Sequence, residues 1–211
     1  MNTTRDERVR QASRQRREQQ KQEVRQAILD AAATLFVAQG YQGFSMRQVA
    51  EQIGYSATTI YHHFADKDEL LFTVADDGFT RFGTQLIAAA QRETDLLERL
   101  EAIGRAYVAF GLNNPTYYEL MFIERADFML GYHAGERKPR LGALDIVGQT
   151  IQEGINRGLI RPGNAATYAN ALWAAVHGVV ALHIAMPASD RSQTEATANA
   201  VLLIVIDGLR S

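Results

Sequence analysis

Apolar residues return every three or four positions along almost the whole chain after residue 22, and no stretch alternates apolar and polar residues as a half-buried strand would. That constraint alone predicts an all-α protein. Val24, Ile28, Ala31 and Leu35 fall at i, i+4, i+7 and i+11, the stripe of an amphipathic helix expected to end at Gly40. Ser45 reads as an N-cap with Gln48 completing a capping box, and Met46, Val49, Ala50 and Ile53 give a short second helix. Gly54-Tyr55-Ser56 interrupts it, and Ser56 opens a third short helix whose buried side is Ile60 and Phe64. Asp66 and Glu69 repeat the capping pattern ahead of a fourth helix, with Leu71, Val74, Gly78 and Phe82 along its inner face.

Longer helices follow. Leu100, Ile103, Tyr107 and Phe110 mark one that stops near Asn113-Asn114-Pro115, because proline disfavours helical geometry in the residue before it. "YYELMF" from Tyr117 starts another, and "GYHAGERKP" from Gly131 reads as a loop. Leu144, Val147, Ile151 and Ile155 mark a helix ending at the Gly158 and Pro162-Gly163 punctuation. A long apolar helix is expected from about Ala165 to Ala185, and a last one from Thr194 to Gly208. The expected organisation is a basic arm over 1–22, ordered or disordered, a three-helix unit over 23–67 and a larger helical bundle over 68–211.

Composition removes several classes of function. With no cysteine in 211 residues, disulfides, thiolate metal sites and cysteine nucleophiles are excluded. No apolar signal core follows the polar N-terminus, and the longest aliphatic run, "VLLIVI" from Val201, is far shorter than a membrane span. The expectation is a soluble, cytoplasmic protein with no membrane partner. A net charge of −2 conceals an asymmetry: up to Phe64 there are nine Lys+Arg against six Asp+Glu, and beyond it thirteen against eighteen. The basic excess is densest from Arg5 to Arg25, as either a solvated tail or a phosphate-seeking arm. No carboxylate pair, nucleophile elbow, phosphate-binding glycine loop or metal-ligand spacing stands out, so no enzyme, cofactor or metal site is expected. His62 and His63 are adjacent and point about 100° apart in a helix, which does not suit a shared metal.

Two short helices joined by a glycine-containing turn, the second opening with small polar residues, describe a helix-turn-helix. The run "FSMRQVAEQIGYSATTIYHHFADKDEL" resembles the DNA-binding signature of the TetR family of bacterial one-component repressors, and the resemblance covers residues from about 23 to 72. It implies that the third helix enters the major groove of double-stranded DNA, with Ala57, Thr58 and His62 facing base edges. Thr59, Tyr61 and His63 then lie at backbone-contacting or groove-facing positions, and Lys67 reaches a phosphate. Ser45, Arg47 and Ser56, at helix N-termini, suit the same work. The three caps Ser45, Ser56 and Asp66 remain equally explicable as caps alone.

In the C-terminal part, Phe82, Tyr107, Phe110, Tyr118, Met121, Phe122, Phe128, Trp173 and His177 form an aromatic and methionine set that either lines an apolar ligand cavity or is plain core. "LWAAVHGVVAL" resembles a subgroup of the family with a Trp-His-Gly signature, here Trp173, His177 and Gly178. Gly178 is the position expected to allow close helix approach. Stripes of Val176, Val180 and His183, then Ala198, Leu202, Val205 and Leu209, are expected to pair with their copies in a homodimer, and a two-fold dimer reads a palindromic operator. The whole implies a repressor released from its operator by a small apolar or aromatic effector. Two rivals stand beside it: a non-specific architectural DNA binder, and a helical ligand-binding module without a DNA function.

Overall fold

The computed structural model describes residues 5–124, 142–186 and 190–211, so Phe128 and the loop expected from Gly131 lie outside the described residues. The chain divides into two compact units, residues 1–74 and 75–211. The division falls inside the fourth helix, seven residues later than the sequence places it.

The first unit contains α1 (Arg5–Gly43), α2 (Met46–Ile53), α3 (Ala57–His63) and the first turns of α4 (Lys67–Arg92). The arm is not separate: α1 begins at Arg5 and runs through it. Gly40, at φ 67° and ψ 176°, breaks α1 where its apolar stripe stops, a conformation open to glycine because it has no Cβ. Ile28, Leu29, Ala32 and Phe36 of α1 pack into a small core with Phe44, Met46, Val49, Ile60, Phe64, Leu70 and Leu71. Each cap forms as its sequence indicates. Ser45 Oγ accepts from Gln48 N–H at 3.3 Å, Ser56 Oγ from Thr59 N–H at 3.2 Å, and Asp66 Oδ1 from Glu69 N–H at 2.8 Å. Gly54 closes α2 in the left-handed conformation, φ 73°, with its N–H turned back to Ala50 and Glu51 carbonyls.

The second unit is a bundle of the rest of α4, α5 (Leu96–Asn113), α6 (Pro115–Glu119) with a π-helical turn Leu120–Glu124, α7 (Gly142–Asn156), α8 (Ala165–Ala185) and α9 (Arg191–Leu209). An antiparallel bridge between Ile160 and Arg210 fastens the end of α9 to the turn after α7. α5 sits centrally, against α7, α8 and α9. Its glycines set how closely they come: Leu202 of α9 fills the space over Gly104, and Val180 of α8 the space over Gly111.

A Cβ at position 104 would collide with Leu202, whereas one at Gly148 of α7 meets open space. Gly104→Ala is therefore expected to cost about 1–3 kcal/mol through overpacking, outweighing its better helix propensity. Gly148→Ala should instead gain about 0.5–1 kcal/mol. Urea unfolding of both variants checks the opposite signs.

Candidate functional site

In the first unit α3 turns one side inward and leaves the other to solvent. Ile60 is fully buried and Phe64, which ends the helix, is buried with it. Thr58, Tyr61 and His62, at i, i+3 and i+4, share the outer face, and Tyr61 is 55% exposed. Ser56 is exposed, while Ala57, Thr59 and His63 sit half-buried at the edges of that face. Arg47 projects from the first turn of α2, its charge held by an exposed pair to Glu51 at 3.2 Å. Such a pair is worth well under about 1 kcal/mol, so the guanidinium can readily exchange it for a phosphate. Ser45 spends its hydroxyl on the cap and on Gln48 Oε1 at 2.9 Å.

Two sequence expectations for this unit change in the structure. Lys67 is turned inward: its ammonium donates to the Tyr41 carbonyl and, at 3.1 Å, to the Phe44 carbonyl, and lies 4.1 Å from the Tyr41 ring centre. It fastens the start of α4 to the segment after Gly40 and is spent on that contact. His63 does not stand free either. Partial burial, with the positive charges of Lys21, Arg25 and His62 nearby, holds its pKa below the ordinary histidine value.

In the second unit four side chains from three elements form one polar cluster. Trp173 Nε1–H donates to Tyr107 Oη at 3.0 Å, the Tyr107 and Tyr118 hydroxyls lie 2.9 Å apart, and they reach His177 Nδ1 at 3.2 and 2.6 Å. One arrangement uses every hydrogen: Trp173 to Tyr107, Tyr107 to Tyr118, Tyr118 to His177 Nδ1. It makes Nδ1 an acceptor and leaves the imidazole hydrogen on Nε2, an assignment drawn from hydrogen counting. A proton on Nδ1 would strand one hydroxyl hydrogen without an acceptor in the cluster. Burial acts in the same direction, pushing Tyr107 up to about 12, Tyr118 higher still with Tyr107 beside it, and His177 down. The cluster is neutral near pH 7.

Beside it opens a narrow cleft lined by Tyr107 and Trp173 with Leu86, Ile103, Gly104, Val147, Ala169, Asn170, Leu172 and Val176. Of the expected ligand residues among the described ones, Tyr107 and Trp173 alone line it. Phe82, Phe110 and Phe122 pack edge to face, with ring centres 5.2–5.6 Å from Phe82, and Met121 is fully buried, filling the space over Gly78. Those four are core behind the cleft, and Tyr118 and His177 reach it through Tyr107. The aliphatic lining falls outside the expected set, which holds aromatics, a methionine and a histidine. Its signal is nonetheless in the sequence, since Ala169 and Val176 stand at i−4 and i+3 from Trp173, and Ile103 at i−4 from Tyr107.

The expected dimer stripe is also corrected. Val176, Val180, Ala198, Leu202 and Leu209 are buried within the subunit, and Val205 is half-buried. His183 bridges α8 to α9, its Nδ1 2.9 Å from Thr194 Oγ1; because that hydroxyl donates to the Asp190 carbonyl, His183 Nδ1–H is the donor between them. Gly178 meets open space and brings no helix close within the subunit. The large apolar side chains that α8 and α9 leave outside are Leu182 (58% exposed), Leu203 (57%) and Ile204 (70%), with Met186 just past α8.

A glycine-turned helix pair with an exposed polar second helix, joined in one chain to a separate all-helical unit with an apolar cleft, defines a one-component DNA-binding regulator. Family models agree with that class: residues 28–74 match "Bacterial regulatory proteins, tetR family", and residues 100–205 match "Tetracyclin repressor-like, C-terminal domain". The chain belongs to the TetR family of bacterial regulatory proteins. Solved structures share its fold along nearly its whole length. A Rhodococcus sp. RHA1 protein of unknown function is 25% identical, with a TM-score of 0.71 over 89% of this chain and 95% of that one. A TetR family transcription regulator from Marinobacter aquaeolei VT8 is 18% identical, with a TM-score of 0.74 over 92% and 99%. The regulator FadR from Bacillus subtilis, solved in complex with stearoyl-CoA, is 18% identical, with a TM-score of 0.72 over 88% and 99%.

Two outcomes follow from these geometries. Lys67→Met should lower the stability of the first unit by about 2 kcal/mol, the scale of a missing charge-assisted hydrogen bond, while the salt dependence of DNA binding stays as it was. A fall of about 0.9 per subunit in the slope of log K against log salt would return Lys67 to a phosphate. In the polar cluster, Tyr107→Phe strands the Trp173 N–H, whereas Tyr118→Phe lets Tyr107 donate to His177 directly. Denaturant titration should find the first costing about 1–3 kcal/mol and the second less.

Proposed function

We propose that the protein is a ligand-responsive repressor that binds a palindromic operator as a homodimer and is released by a small apolar or aromatic effector. The observation that carries this reading is the outer face of α3, where Thr58, Tyr61 and His62 stand in solvent while Ile60 and Phe64 anchor the helix. Thr58 and His62 have the chemistry to meet base edges in the major groove; Tyr61, Arg47 and the α2 and α3 N-termini suit phosphates. The rival reading as a non-specific binder is disfavoured by this assembly of varied polar groups, which phosphate contact alone does not require. The site of action is the cytoplasm, and the work is binding, with no turnover step.

Dimerisation is supported by the outer sides of α8 and α9. Ala171, Ala174, Gly178 and Leu182 form one apolar, small-residue stripe, and Ala196, Ala200, Leu203 and Ile204 form another. α8 is apolar on both sides, so by length and composition alone it could cross a membrane. Two copies packing these stripes together would cover them in a four-helix interface. The Trp173, His177 and Gly178 run supports grouping this C-terminal domain with the Trp-His-Gly members of the family, Gly178 then serving the subunit interface.

The effector is argued from the cleft lining, which among the described residues holds no charged residue and offers Tyr107 and Asn170 as polar tips. B. subtilis FadR, with the same fold, carries stearoyl-CoA, and a fatty chain suits this lining equally well. An effector need differ in affinity between operator-bound and released forms by only about 1–3 kcal/mol, or roughly 5–150-fold. Trp173 is the single tryptophan and lines the cleft, so its emission reports occupancy.

Selection from a random double-stranded DNA pool tests the reading. The wild-type protein should return a palindrome with half-sites about 34–36 Å apart, and Ile204→Asp, monomeric by sedimentation, should bind it at least 100-fold more weakly. Recovery of no motif by a folded dimer would contradict the proposal, as would an Ile204→Asp protein that remains dimeric and binds as before.

A further inference from the structure

The basic N-terminal half of α1 has no role in the reading above, although the basic excess of the sequence is concentrated there. Arg10, Arg14, Arg17, Lys21 and Arg25 follow at i, i+4, i+7, i+11 and i+15. In the continuous helix found there, this spacing gathers five cations into an arc of about 80° along roughly 22 Å of axis. Arg10, Arg14, Arg17 and Lys21 are exposed. Two of the nearby carboxylates accept from glutamine amides: Gln22 Nε2 donates to Glu18 at 3.3 Å, and Gln19 Nε2 to Glu23 at 3.1 Å.

The lower end of the stripe meets the recognition helix. The Arg25 guanidinium lies 5.4 Å from the centre of the Phe64 ring, directly after α3, and the charges of Lys21 and Arg25 are felt at His63. The cations thus end beside His63 and Phe64, at the C-terminal end of α3 and adjoining in sequence the exposed His62. An apolar partner is not what this segment is built for, because Val9 and Ala12 are the only aliphatic residues between positions 5 and 23. A solvent-projecting helix of this length is marginal by itself and gains from a polyanion laid along it.

We propose that the N-terminal half of α1 is a second DNA-contacting element, with Arg10, Arg14, Arg17 and Lys21 lying along duplex phosphates beside the bases that α3 reads. It contributes affinity and positioning, and no sequence information. This rests on the reading of the protein as a DNA binder. It differs from the helix-turn-helix contact in its residues and in what it would change.

The test uses the full chain carrying Arg10→Gln, Arg14→Gln, Arg17→Gln and Lys21→Gln, since glutamine has nearly the helix propensity of the residues it replaces. Circular dichroism and unfolding confirm that the variant is folded. Affinity is measured from about 0.05 to 0.2 M salt for the duplex recovered by selection and for a scrambled duplex of equal length. Removing one cation from a phosphate should reduce the slope of log K against log salt by about 0.9, so four such cations give a fall of about 3 to 4 per subunit, or about 7 for a dimer. The ratio of affinities for selected and scrambled duplexes should not move. Trimming the flanks of the selected duplex should weaken the wild type and leave the variant unaffected.

An unchanged slope overturns the proposal, and so does a variant that loses its preference for the selected duplex. If the wild type prefers no sequence, the reading of α3 fails while the slope on scrambled duplex still decides the arm. A wild type that binds no duplex at any salt overturns both.

Discussion

α3 has seven residues, far fewer than a helix needs to persist in water, so everything asked of its outer face depends on how it is held. Ile60 gives it one fully buried anchor and Phe64 a second at its end. Ser56 supplies the cap, and Gly54 turns the chain sharply enough to bring α2 and α3 together. Lys67 closes the arrangement from the other side by holding the carbonyls of Tyr41 and Phe44. Because the fastening uses residues on one side only, Thr58, Tyr61 and His62 are left with no structural duty. A charged residue spent on fastening also explains why the exposed cations lie elsewhere, on Arg47 and along α1.

The second unit solves a different problem, that of burying polar groups among aromatics without stranding a hydrogen. The chain from Trp173 through Tyr107 and Tyr118 to His177 satisfies each donor in turn. It also fixes the tautomer of His177 and keeps every member uncharged. Such a network is costly to disturb in part, which gives the cleft beside it a rigid wall on the Tyr107 and Trp173 side. Apart from Asn170 the remaining lining is apolar and comes from four helices, so a ligand entering there touches α4, α5, α7 and α8 together.

Much of the fold was legible because it rests on local chemistry. Ser45, Ser56 and Asp66 cap where they stand, Asn114 precedes a proline, and α8 covers the residues its apolar run marks out. What was not legible concerns which of two faces a helix turns inward. α8 is apolar almost all round, so period alone cannot tell Val176 and Val180, which pack inside, from Leu182, which does not. The family motif likewise gives Lys67 a position and not a direction. For the aromatic set, periodicity turns Phe82 and Phe110 to the inner faces of their helices; whether the interior they meet is filled or open depends on volumes brought together from distant helices. The helical order of the arm was open for a similar reason, since residues 5–23 have almost no apolar content from which to judge it.

The central claim is that the exposed residues of α3 read sequence while the rest of the unit holds them. Its most direct test compares wild type with Thr58→Ala and His62→Ala on the selected operator and on a scrambled duplex at about 0.15 M salt, near physiological ionic strength. The account predicts losses of about 1–3 kcal/mol, or roughly 5–150-fold, confined to the selected operator, with affinity for scrambled DNA unchanged. Equal losses on both duplexes, or no loss on either, would contradict it.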